Sequence, residues 1–231
     1  MEALRRSSIS ARCAWQAAGL ALGLLLLPGA PAMAQNCQPQ DGYSYEVDVT
    51  IDTPPVRLHR NLSRAQLTGK TFHGASSGQT LGLMQSSLEV ATQTHYFSHV
   101  VEGGMCIWVS RIDVTLRYNT LDIFIAKEYR QHSCEYKVIL EHEKQHVKVA
   151  QQALKPFVPK IISALTSFSI PRAGNPLGVQ SLDHAKQQIN RRIDERIAPL
   201  RNQMTQVINK KQAKVDSPQS YRATFKRCKN W

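Results

Sequence analysis

The sequence predicts an α+β fold, with an N-terminal antiparallel β-sheet followed by a helical C-terminal half that carries a His-Glu-x-x-His helix. Two changes along the chain predict it. Before residue 130 apolar and polar residues alternate, as they do in strands with one wet face. After residue 130 the apolar residues recur at spacings of three and four, the period of a helix packed on one side. Proline and glycine clusters separate the segments and fix where each ends.

The first 34 residues stand apart. Arg5, Arg6 and Arg12 precede an apolar run from Ala17 to Leu27, and Ala32-Met33-Ala34 is a small-x-small cleavage site. That is the pattern of a secretory signal peptide, and the run is too short to span a bilayer. Residues 35–231 then make one domain, β-rich over 35–130 and helical over 131–231. No later apolar run approaches about 18 residues, so no transmembrane segment is expected once the signal is removed. The expected location is periplasmic or secreted.

Each element has its own signal. Tyr43 to Ile51 alternates as a strand and ends at Pro54-Pro55. Val56 to His59 makes a second short strand, Ser63 to Leu67 opens a short helix, and 70–85 reads as loop. Residues 96–102 and 106–118 read as strands. In the second, Trp108, Ile112, Val114 and Leu116 form the apolar face, and Arg111, Asp113, Thr115 and Arg117 the polar one. Asn119-Thr120 fits a hairpin turn, with Leu121 to Ala126 as the return strand. One helix covers about 134–154, with Ser133 as N-cap and Glu135 at the positive end of its dipole. Pro156 and Pro159 break it, and Phe157 to Phe168 forms a further helical segment. The last helix runs from about 179 to 212 and keeps its apolar spacing through Pro199, as a kinked helix does.

Chemistry concentrates at His142-Glu143-Lys144-Gln145-His146. Residues four apart on a helix share a face, so both imidazoles can reach one Zn²⁺. Glu143 then lies beside the ion, where a carboxylate can take a proton from water.

This stretch resembles the zincin-type metallopeptidases, and more narrowly bacterial secreted zinc proteases of unknown substrate. The resemblance covers residues 104–155: a Cys106-Ile107-Trp108 strand, a hairpin, then the motif helix. It implies His142 and His146 as Zn²⁺ ligands, Glu143 as catalytic acid/base, and a peptide or protein substrate laid along a strand edge near the helix. Lys144 departs from the pattern, because residues between the ligands are usually uncharged. The downstream third histidine is also missing, since Gln152 stands at its place.

A catalytic zinc usually takes three protein ligands. The candidates are Asp183, His184, Asp194, Glu195 and Asp216. Asp216 ranks first because it follows the long helix and precedes a Ser-Pro turn. Glu195 and His184 are the alternatives. His95 and His99 lie four apart on a strand and can share a face.

Cys37, Cys106, Cys134 and Cys228 remain after the signal, and an even count in an exported chain suggests two disulfides. Three pairings are possible; Cys106–Cys134 with Cys37–Cys228 is favoured, tying a strand to the motif helix and the chain ends to each other.

The chain carries 29 Lys and Arg against 17 Asp and Glu. From Arg172 onward there are 13 cations and 4 anions. Aromatic residues do not interleave with these charges as a stacking platform needs, so no nucleic acid is expected. The basic half offers a surface to an anionic envelope polymer. Two functions fit: an exported zinc-dependent hydrolase, in particular a peptidase, and a non-catalytic envelope module whose histidine pair is structural or vestigial.

Overall fold

A 22-residue strand organises the molecule. The computed structural model describes residues 37–70, 80–229 and 231, all within one compact unit, Ala34–Trp231. The expected signal peptide lies outside the described residues, as does 71–79 of the expected loop. The elements are β1 (Glu46–Asp52), β2 (Arg57–His59), α1 (Arg64–Lys70), β3 (Gly82–Val101), β4 (Gly104–Ile125), α2 (Cys134–Ala153), α3 (Val158–Thr166), β5 (Leu177–Val179), α4 (Leu182–Val215) and α5 (Pro218–Phe225). A 3-10 turn, Lys155–Phe157, joins α2 to α3. No helix among the described residues is long and apolar enough to cross a membrane.

β4 uses both edges. β3 pairs with it antiparallel along its whole length, through a tight turn at Glu102-Gly103 where Gly103 has φ +81°. The opposite edge is shared by β5 against 105–107, β1 against 111–117 and β2 against 122–124. β1 and β2 run parallel to β4, so the sheet is mixed; the expectation of an antiparallel sheet is corrected. Alternation reports which face is buried, and it is blind to strand direction. β1 and β2 also keep one register: Thr50–Thr115 and Arg57–Asp122 are each 65 residues apart. They form one strand interrupted where Pro54-Pro55 cannot donate to a ladder.

The expected hairpin at Asn119-Thr120 is absent. Ser87 pairs with Thr120 and Leu88 with Tyr118, which leaves Asn119 as the extra residue of a β-bulge. Ser110 is the extra residue of a second bulge, between His95–Arg111 and Tyr96–Val109. Each bulge flips the alternation and so keeps one face buried. Val109, then Ile112, Val114, Leu116 and Tyr118, then Leu121, Ile123 and Ile125 all enter the core. Trp108 therefore leaves the face assigned to it. It packs on the opposite side against Tyr43, Phe97 and His99.

The helices cover the core face. Ala185, Ile189, Ile193, Ile197 and Met204 of α4 are buried, and their spacing runs through Pro199. α2 buries Tyr136, Val138, Ile139, Val147, Ala150 and Ala153, and its histidines lie on the same side. Burying this much apolar surface is the main term that holds α2 in place. α5 was not expected, although Ser217-Pro218 is a helix-start signal: the Ser217 hydroxyl accepts from Ser220 N–H and Pro218 fills the first turn.

The disulfides are Cys37–Cys106 and Cys134–Cys228. This corrects the favoured pairing. A return strand at 121–126 would have brought Cys106 back toward Cys134. Instead β4 runs on from Cys106 to Ile125, roughly 60 Å at about 3.3 Å per residue.

Candidate metal centre

α2 presents its histidines because of how it begins and what it buries. The Ser133 hydroxyl accepts from Tyr136 N–H at 3.1 Å and sets the first turn. Apolar burial of Val138, Ile139, Val147 and Ala150 then fixes the helix's rotation. His142, Glu143 and His146 fall at the margin of that stripe and are themselves buried. α4 arrives with a matching pitch. Gln212 lies in its last turn, and Asp216 caps it, donating its N–H to Gln212 O at 3.2 Å. One helical turn of α2 thus faces one helical turn of α4.

Three ligand atoms converge. Asp216 Oδ1 lies 3.1 Å from His142 Nε2 and 3.0 Å from His146 Nε2, and the two Nε2 atoms are 3.3 Å apart. A tetrahedral ion bound at about 2.0–2.1 Å holds its ligand atoms about 3.3 Å from one another. The triangle fits that requirement to within a few tenths of an ångström. Two imidazole nitrogens and a carboxylate oxygen are also the donor types that zinc takes. Among the described residues the only other cluster is Cys134, Glu135 and Cys228, whose thiols form a disulfide.

The surroundings orient the triad. The Tyr221 hydroxyl donates to Asp216 Oδ1 at 3.0 Å, and its ring lies 5.3 Å from that of His142. Gln212 contacts His146 at both ring and backbone: Nδ1 to Oε1 is 2.6 Å, and Nε2–H donates to His146 O at 3.1 Å. His142 Nδ1 is buried and, among the described residues, has no hydrogen-bond partner.

Charge follows the geometry. Burial pushes the Asp216 carboxyl up, but hydrogen bonds from His142 and His146 outweigh it and hold the group well below the usual carboxylate range. Burial pulls His146 down, and its hydrogen bond to Asp216 together with the nearby Glu143 charge raises it on balance. Burial dominates at Glu143 and pushes it up to about 7, with both histidines opposing. Burial, then the Asp216 charge, pushes Tyr221 up.

The start of β3 closes the other side. The Met84 backbone amide faces the Glu143 carboxylate and favours its charged form slightly. A Cβ at Gly82 would come within 2.5 Å of Ile139 Cγ2 and 2.7 Å of Glu143 Oε1, so only glycine lets the strand approach this closely. β4 takes one edge of β3, and among the described residues no strand pairs with the other.

The structure brings His142, Glu143, His146 and Asp216 together. It leaves the other candidates apart. His184 hydrogen-bonds Gln188 at 2.6 Å, Asp194 accepts from Thr92, and Asp183 and Glu195 are exposed on α4. His95 pairs with Asp113 at 2.7 Å, while His99 sits against Trp108. Gln212 was missed by the sequence reading. Its signal was the spacing to Asp216, four residues, which repeats that of the two histidines. Comparison of the chain with protein-family models, with curated proteins and with solved structures finds no match, so the chemistry of the site rests on this geometry.

Proposed function

We propose that the chain is an exported metal-dependent hydrolase that cleaves peptide bonds, with His142, His146 and Asp216 holding Zn²⁺ and Glu143 as general base. The observation that carries this reading is the convergence of three ligand atoms beside a buried carboxylate that is not one of them. Bound there, Zn²⁺ supplies Lewis acidity, polarising a carbonyl and making water acidic near neutral pH. Glu143 takes the attacking water's proton and delivers it to the leaving amine, the exchange a buried carboxylate beside the ligands is placed to make. Tyr221 steadies Asp216 through its phenol. The edge of β3 that no strand among the described residues takes starts beside Glu143 and can pair with an extended peptide main chain. Two disulfides fit an oxidising compartment and support export.

One observation favours a second reading. The histidines and Glu143 are almost fully covered, and closed sites are typical of structural metals. The chain would then be a non-catalytic envelope module, binding an anionic polymer through its basic helical surface.

Glu143→Gln separates the two. The peptidase reading expects about one zinc per chain in both wild type and variant, with hydrolysis of a mixed peptide library at least 100-fold slower in the variant. A wild type that holds zinc through dialysis yet cleaves no peptide favours the module. A wild type with no zinc by mass spectrometry overturns both metal roles.

A further inference from the structure

Gln212 lies outside the motif and outside the ligand triangle, yet its amide makes two contacts with one residue. Its Nε2 can only donate, and the acceptor it meets is the His146 carbonyl at 3.1 Å. That contact fixes the amide's orientation and turns Oε1 toward the imidazole. Oε1 can only accept, so at 2.6 Å the His146 Nδ1 must carry the proton. In neutral His146 the lone pair is then on Nε2, the atom that faces His142 Nε2 at 3.3 Å and Asp216 Oδ1 at 3.0 Å.

We propose that Gln212 is a positioning residue that locks His146 in the Nδ1–H tautomer, aims Nε2 into the ligand triangle and thereby sets the affinity for the ion. The proposal deepens the metal-site reading and rests on it. His146 and His142 differ here in a way the motif hides. Among the described residues His142 Nδ1 has no hydrogen-bond partner, so none of them supports its tautomer. His146 is the prepared ligand, and Gln212 prepares it from another helix. Partners of this kind typically change metal affinity by about 10–100-fold when removed.

The test uses the full mature chain and two variants, Gln212→Leu and Gln212→Glu. Leucine keeps the bulk and removes both polar contacts. Glutamate loses the donor to the His146 carbonyl but keeps an acceptor for Nδ1–H, so it isolates the imidazole contact. Long-range ¹H–¹⁵N correlation on the metal-free protein, taken up in pH until the His146 ring shifts no longer change and the ring is neutral, reads the tautomer directly. Expected are a single Nδ1–H form for His146 in wild type and Gln212→Glu, and a mixture in Gln212→Leu. Zinc competition with a chelating dye should show Kd about 10–100-fold weaker for Gln212→Leu and within a few-fold of wild type for Gln212→Glu. An unchanged tautomer and unchanged Kd in Gln212→Leu overturn the proposal. So does a loss of affinity that merely follows a lowered melting temperature of the metal-free variant and is not rescued by glutamate. If wild type binds no zinc while the tautomer still depends on Gln212, the metal reading fails and the orienting role stands.

Discussion

The two walls of the site are built differently. α2 supplies both histidines and Glu143 from a helix whose inward face is buried against the sheet and α4. The arm from Asp216 to Trp231 supplies Asp216 and Tyr221, and its helix α5 buries none of its residues. What holds the arm is sparse and specific. Cys228 is bonded to Cys134 at the start of α2, Arg227 meets Glu141 at 2.6 Å, and the Trp231 ring packs edge-on against Tyr129 with centroids 6.5 Å apart. Two of the candidate ligand atoms therefore belong to the packed core and the third to a tethered surface segment.

The largest expected effect comes from cutting the tether. Replacing Cys134 and Cys228 by serine opens a loop whose ends are 94 residues apart, which by chain entropy costs about 4–5 kcal/mol of unfolding free energy. Well below the lowered melting temperature the core helices remain, but Asp216 is no longer held opposite the histidines. Zinc affinity should fall by at least 10-fold, since the third ligand must be ordered again at each binding event. Titration at low temperature, with circular dichroism confirming native helix content, checks it. A folded double variant that binds zinc as wild type does would mean that the arm is held by its non-covalent contacts.

That division also explains what the sequence shows and what it hides. The packed wall is local: Ser133, Glu135 and the spacing of Val138, Ile139, His142 and His146 announce α2 and its face. Asp216 was legible too, because it stands at the end of a long amphipathic helix beside a Ser-Pro start. The sheet was less so. Asn119-Thr120 has hairpin composition, and only its pairing with Ser87 and Leu88, far away in sequence, makes it a bulge. That misreading propagated, since a chain reversal there misplaced Cys106 and with it both disulfides. Parallel pairing of β1 and the docking of β5 are likewise long-range choices that alternation does not encode.

A sharper comparison substitutes one apolar residue on each wall. Ile139 is buried on α2 and packs where Gly82 approaches; Ile139→Ala should cost about 2–5 kcal/mol in chemical denaturation, because a cavity remains in a packed core. Phe225 on the arm is 42% exposed, and Phe225→Ala should change global stability by no more than about 0.5 kcal/mol. Equal losses at the two positions would show the arm to be part of the cooperative core.

The smallest effect is a pH dependence of the arm itself in metal-free protein. Asp216 is held below its ordinary 3.8: burial opposes this, and hydrogen bonds from His142 and His146 outweigh it. Its contribution is therefore complete above 3.8 and is lost as pH falls through the depressed value. His146 is raised above its ordinary 6.5, chiefly against burial and through Asp216. Its contribution is complete below 6.5 and is lost as pH rises through the raised value. The clasp between α2 and the arm is thus tightest between 3.8 and 6.5. Hydrogen exchange of residues 216–228, corrected for intrinsic rate, should be slowest near pH 5 and faster near pH 8; α2 should loosen in the same direction, because its buried Glu143, pushed up to about 7, becomes charged over that interval. Bound zinc should reverse the trend, because the ion competes with the His146 proton and is held better as pH rises. An arm protected equally at both pH values would mean that it is held by the disulfide and Trp231, with no help from the charge on His146 and Asp216.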